Sequence, residues 1–121
     1  MATNLNEVFK VADTMDAIAF SKLLTKDVRF RFSNNDVWTG RGAVISGLNY
    51  LFSRIIGLKH NITGVYSNNE GYAVEALAKY TMKDAKAITL PVVSVLKYEG
   101  NLIKDYRIYM DISPVMNYAV G

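Results

Sequence analysis

Val28-Arg29-Phe30-Arg31-Phe32 alternates apolar and cationic residues without a break. Period two belongs to a β-strand with one covered face, because successive side chains leave a strand on opposite sides. Turning Phe30 and Phe32 inward leaves both arginines in water, whereas the reverse would bury two unpaired charges. The stretch therefore sets a strand and says which of its faces meets the core.

Upstream of this strand the spacing is helical. Leu5, Val8, Phe9 and Ala12 fall at intervals of three and four, one face of a helix. Asn4 followed by Glu7 has the form of a capping box. Asp16 is placed to cap a second helix that buries Phe20, Leu23 and Leu24. Downstream, Ser33-Asn34-Asn35-Asp36 turns the chain, and Trp38 and Gly40 lead into an apolar helix expected from Gly42 to Ile56. Its stripe is Val44, Leu48, Leu51 and Ile55, with Gly57 as the residue that ends it.

From His60 the pattern is strand and turn: 60–66, 72–82, 87–98 and 102–112, separated by Ser67–Gly71, Lys83–Lys86 and Glu99–Asn101. Three hairpins in succession make a meander, and the early helices must cover one face of it, an α+β arrangement. The segment Leu90-Pro91-Val92-Val93-Ser94-Val95-Leu96 is apolar on both sides. A strand of this kind calls for cover on both faces. The helices supply one cover; a second copy of the chain, touching Leu77, Val93, Val95 and Tyr109, supplies the other, so a homodimer through the outer sheet face is expected.

Composition narrows the function classes. Of 121 residues half are hydrophobic and 21% charged, the balance of a folded domain. Cysteine is absent, which removes disulfides, thiolate metal sites and thiol nucleophiles. The single histidine and scattered carboxylates give no metal spacing, no glycine-rich phosphate loop follows a strand, and no cofactor is implied. The net charge of +3 is spread over Arg29, Arg31, Lys79, Lys83, Lys86 and Lys97, without the runs that mark nucleic-acid binding. There is no signal-peptide pattern at the start and no apolar run of bilayer length, so a cytoplasmic, soluble chain with no membrane partner is expected.

Several strings, in order, resemble SnoaL-like domains of the nuclear-transport-factor-2-like superfamily. They are Asp16…Phe20…Leu23-Leu24-Thr25-Lys26-Asp27-Val28-Arg29-Phe30, Trp38-Thr39-Gly40-Arg41, Leu58-Lys59-His60, Leu90-Pro91-Val92, and Asp105-Tyr106-Arg107-Ile108-Tyr109-Met110-Asp111. The resemblance covers nearly the whole chain and makes residues 1–121 one SnoaL-like domain. It implies a cystatin-like cone, a curved antiparallel sheet wrapped around N-terminal helices, often dimeric through its convex side. The superfamily includes polyketide cyclases and ketosteroid isomerases alongside non-catalytic members, so fold alone does not choose a function.

Strand parity divides cavity from exterior. It turns Phe30, Phe32, Ala76, Ala78, Tyr80, Val92, Ser94, Leu96, Tyr106, Ile108 and Met110 inward, with Trp38 at the mouth. The expected pocket is apolar, with hydroxyls at Tyr80, Ser94 and Tyr106. The known chemistries of related folds lose their residues here. The places of the ketosteroid-isomerase base and oxyanion donors hold Phe32, Val8 and Ser94. Those of the limonene-epoxide-hydrolase relay hold Ala78, Ala76, Ile108, Phe30 and Phe32, and Met110 stands where SnoaL cyclases carry an inward acid. His60 remains. It resembles in position a histidine of scytalone-dehydratase-like members that takes part in acid–base chemistry, although their second histidine is missing and no acid is visible in the sequence to orient this one.

Three functions follow. The first is a binding module for a small hydrophobic or aromatic molecule. The second is an isomerase, dehydratase or cyclase of a polyketide-, terpenoid- or steroid-like substrate with His60 as acid–base. The third is a dimeric scaffold that fills its own cone. A void under about 100 Å³ would be smaller than ordinary ligand sites and would favour the scaffold.

Overall fold

A computed structural model describes residues 5–118. The elements in chain order are α1 (Leu5–Asp13), α2 (Ala17–Ser21), β1 (Leu24–Phe32), β2 (Trp38–Thr39), α3 (Arg41–Phe52), β3 (Ile55–Ser67), β4 (Gly71–Met82), β5 (Ala87–Glu99), β6 (Leu102–Tyr109) and α4 (Ser113–Met116). The six strands form one sheet in the order β2-β1-β6-β5-β4-β3. The helices α1 to α3 pack on its inner face, giving the α+β architecture expected from the sequence.

Two features differ from the simplest reading of the meander. The sheet is mixed: β1 runs parallel to β6, pairing Phe30 with Tyr106 and Phe32 with Ile108, while the other pairs are antiparallel. It is also open, not closed into a barrel, since β2 and β3 are its edges. Register shifts in β3 between Ile55 and Gly57 and between Ile62 and Gly64 insert the irregularities that bend a long strand.

The third helix ends earlier than its apolar pattern suggests. It stops at Phe52, where the amides of Ser53 and Arg54 return to Asn49 and Leu51 carbonyls. Ile55 is buried, but from β3, and Gly57 pairs with Thr81 inside that strand instead of ending a helix. An apolar run next to a helix can be buried in either conformation, so periodicity could not mark the boundary. The strand that includes His60 accordingly starts at Ile55, and the last strand stops at Tyr109, short of Ile112. Asn4 of the expected capping box lies outside the described residues.

Local chemistry accounts for the joints. Asp16 caps α2, its Oδ1 accepting from the Ala19 amide at 3.0 Å. Gly40, at φ +89°, turns the chain from β2 into α3 in a conformation that a side chain would strain. Arg41 then donates from Nε and Nη2 to the Leu24 carbonyl at 3.0 and 2.6 Å, tying α3 to β1. Alternation is strict in the second half of β1: Val28, Phe30 and Phe32 are buried and Arg29 and Arg31 exposed, after an irregular start in which Leu24 and Thr25 are both buried. Phe30 lies stacked between Trp38 (centroids 5.6 Å apart) and Tyr106 (4.9 Å), with Phe20 edge-on at 6.2 Å. No described helix is long and apolar enough to cross a membrane.

Candidate functional site

The helix α1 ends at Asp13, followed by a tight turn in which Met15 takes a left-handed conformation, φ 60°. Asp13 follows Ala12 and stands four residues after Phe9, on the side of α1 that faces the sheet. Its carboxylate there meets β3. The His60 amide donates to Oδ2 and Oδ1 at 3.0 and 3.2 Å, and His60 Nδ1 lies 2.6 Å from Oδ1. Phe9 packs against the imidazole with ring centroids 5.1 Å apart. Both side chains are mostly shielded, at 12% exposed for His60 and 17% for Asp13.

This supplies the acid that the sequence did not reveal. A carboxylate only accepts hydrogen bonds, so in the neutral imidazole Nδ1 carries the proton and Nε2 keeps the lone pair. Nε2 has no protein partner among the described residues, and His60 lies on the wall of a cavity between helices and sheet. The imidazole is thus held by a carboxylate at Nδ1 and by the packing of Phe9, with Nε2 left without a protein acceptor or donor among the described residues.

The cavity measures about 40 Å³. That is below the roughly 100 Å³ of a small ligand site, so by size alone the void favours a scaffold that fills its own cone, and it has room for about two or three waters. Of the residues expected inside, Phe30, Phe32, Tyr80, Val92, Tyr106 and Ile108 line it together with His60. The remaining wall comes from helix residues that strand parity could not reach, Ala12 on α1, Phe20 on α2, and Leu48, Leu51 and Phe52 on α3, and from Leu58 on β3, two residues before His60 in the stretch of that strand that precedes the expected start. Ala76, Ala78, Ser94 and Leu96 are buried on the inner side of the sheet but do not reach the void. Met110 is half-buried and stands against Tyr80, whose hydroxyl lies 3.5 Å from its Sδ. Trp38 lies flat along Phe30 and Phe32 and lines an outer groove of about 490 Å³ between β2, α3 and the C-terminal turn. Phe32 and Leu51 belong to both spaces, so those two side chains form the partition.

The phenols of the wall stay protonated. Burial pushes Tyr80 well above the ordinary tyrosine range, with the Asp13 charge adding to the effect. Burial raises Tyr106 as well, against a hydrogen bond from Ser94 that acts the other way. Each is a donor, and for Tyr80 a thioether is a weak acceptor to spend it on. Among the described residues no cluster of histidine and carboxylates is fit to hold a metal ion. Glu75 and Asp111 are on the surface, where Glu75 accepts from the Tyr66 hydroxyl at 2.8 Å and Asp111 caps the Ser113 amide at 3.0 Å.

The sequence profile of the SnoaL-like domain matches residues 5–106. The chain belongs to the SnoaL-like domain family. No curated protein matches it by sequence. Among solved structures, a nuclear-transport-factor-2-like protein of unknown function from Burkholderia pseudomallei superposes with a TM-score of 0.82 at 15% identity, over 97% of this chain and 95% of that one. A protein of ketosteroid-isomerase-like fold from Catenulispora acidiphila, in complex with trimethylamine, gives 0.78 at 18% identity over 94% and 92%. A candidate SnoaL-like polyketide cyclase from Shewanella denitrificans gives 0.77 at 15% over 91% and 89%. At such identities the likeness is one of fold, and this SnoaL-like domain must be read from its own side chains.

Proposed function

We propose that this SnoaL-like domain is an acid–base enzyme of the isomerase, dehydratase or cyclase kind, with His60 as the base and Asp13 as its orienting acid. The single observation behind this reading is the 2.6 Å contact of Asp13 Oδ1 with His60 Nδ1 at the edge of an apolar void. Tyr80 supplies a protonated hydroxyl on the same wall, suited to a substrate oxygen as charge builds on it. The substrate is small and apolar, with an acidic C–H or a hydroxyl. Because the void is smaller than such a molecule, its body occupies the outer groove beside Trp38, and Phe32 and Leu51 move to admit the reactive end.

The test uses 2-tetralone, an enolisable aromatic ketone, in deuterium oxide. Exchange of its α-hydrogens, followed by NMR, is accelerated by the protein. His60→Ala lowers that acceleration by about 10²- to 10⁴-fold, the usual contribution of a positioned base, and Asp13→Asn gives an intermediate loss. Unchanged exchange in a folded His60→Ala protein removes the assignment. Quenching of Trp38 fluorescence by 2-tetralone with no exchange points instead to a binding module.

A second reading concerns the outer face of the sheet, for which we propose a second copy of the chain as cover. Leu77 and Tyr109 are 42% and 48% exposed there, beside the half-buried Val93 and Val95. The register places Val93 directly beside Tyr109, so these side chains form one continuous patch across the central strands. Sedimentation velocity distinguishes the states: the parent sediments as a dimer and Val93→Glu as a monomer. A monomeric parent at 100 μM, roughly a hundredfold above a micromolar Kd, would end the proposal.

A further inference from the structure

The outer face carries a second feature, at the opposite edge from Leu77. Arg29 and Arg31 on β1 stand beside Asp105 and Arg107 on β6, and the pairing is residue by residue: Arg29 with Asp105, Arg31 with Arg107. Neighbouring strands are about 4.8 Å apart, so Arg31 and Arg107 are like charges at adjacent positions, an arrangement that is destabilising unless something compensates it. Asp105 does not compensate it for β1. Its carboxylate is taken by Arg107 of its own strand, Nε to Oδ1 at 2.9 Å and Nη2 to Oδ2 at 3.4 Å. The ion pairs among the described residues are His60–Asp13, Lys97–Glu70 and Arg107–Asp105, so Arg29 and Arg31 have no carboxylate partner, Asp27 included. These four charged side chains and Val37 enclose a recess of about 190 Å³. Three guanidiniums against one carboxylate give it an excess of two positive charges.

We propose that this recess is a binding site for a phosphate-type oxyanion. A guanidinium presents its N–H donors in a planar fork that matches phosphate oxygens two at a time. Here Asp105 fixes Arg107 in place, which removes part of the ordering cost of binding, and Arg29 and Arg31 supply the free forks. A dianion would cancel the excess charge and relieve the contact between Arg31 and Arg107. The site is on the far side of the sheet from His60 and is independent of the acid–base reading.

Pyrophosphate is the probe, titrated calorimetrically at constant ionic strength with potassium chloride as the balancing salt. Saturable binding is expected, weakened at least about tenfold by Arg31→Ala and by Arg29→Ala, the loss that follows from one charge-assisted hydrogen bond. Both residues are exposed, so both variants fold, which their melting curves verify. Co-sedimentation with phosphatidylcholine vesicles containing phosphatidic acid identifies the source: capture that needs Arg31 indicates a lipid headgroup, and its absence beside pyrophosphate binding indicates a soluble phosphate. Heat that chloride reproduces at equal ionic strength, or affinity unchanged in both variants, overturns the proposal.

Discussion

One strand, β1, builds two unlike surfaces from neighbouring residues. On its inner side Phe30 is fully buried and stacked between Trp38 and Tyr106; on its outer side Arg29 and Arg31 project into a charged recess. The inner surface is held by shape, so it tolerates little change in volume. The outer surface is held by charge and solvent, so it can be altered without disturbing the fold. Any chemistry in the cavity is thus insulated by a sheet one residue thick from anything that binds outside, and the two can be tested separately.

The largest effect should come from removing the inner side. Phe30→Ala is expected to cost about 3–5 kcal/mol of stability, measured by urea denaturation; a loss under 1 kcal/mol would mean that the aromatic stack is not a stabilising core. Gly47→Ala should come next. A Cβ at Gly47 would stand 2.4 Å from Trp38 Cη2, and the indole is pinned against Phe30. Overpacking of this kind costs about 1–3 kcal/mol and should shift Trp38 fluorescence.

A pH titration gives a graded version of the same contrast. Tyr80 and Tyr106 hold their protons in the folded chain above the ordinary tyrosine pKa of 10.0, and Tyr98 is pushed up to about 12, in each case chiefly by burial. Above pH 10 the unfolded chain therefore binds fewer protons than the folded one, so their contribution is complete below pH 10 and declines as pH rises toward the folded values. For the buried Tyr80 and Tyr106 the slope is at most about 1.4 kcal/mol per pH unit each. Denaturation midpoints between pH 9 and 11.5, with phenolate absorbance, check this; flat stability would contradict it. The smallest effect belongs to the outer side: Arg31→Ala should change stability by no more than about 0.5 kcal/mol.

What the sequence disclosed and what it hid follow the range of the interactions. Alternation in β1, the hairpin turns and the cap at Asp16 are written in adjacent residues and could be read directly. The parallel pairing of Phe30 with Tyr106 is not, because nothing local in either strand names a partner so far along the chain. Asp13 was missed for a related reason. Its position four residues after Phe9 puts it on the sheet-facing side of α1, yet its meaning depends on His60, 47 residues away. The lining of the void divides in the same way: strand parity reaches sheet residues such as Phe30 and Tyr106, whereas Leu48, Leu51 and Phe52 reach it only through the docking of α3.

The partnership of β1 with β6 also imposes an order on synthesis. Among the described residues the one long neighbour of β1 is β6, which follows it in the chain by some seventy residues, since β2 pairs with it at just Arg29 and Phe30. A nascent chain that has not yet reached Tyr109 therefore has a solvent-exposed edge next to Phe30 and Phe32, the kind of edge that recruits foreign strands. Arg29 and Arg31 put charge along that edge, the device by which exposed strands are kept from pairing with foreign ones.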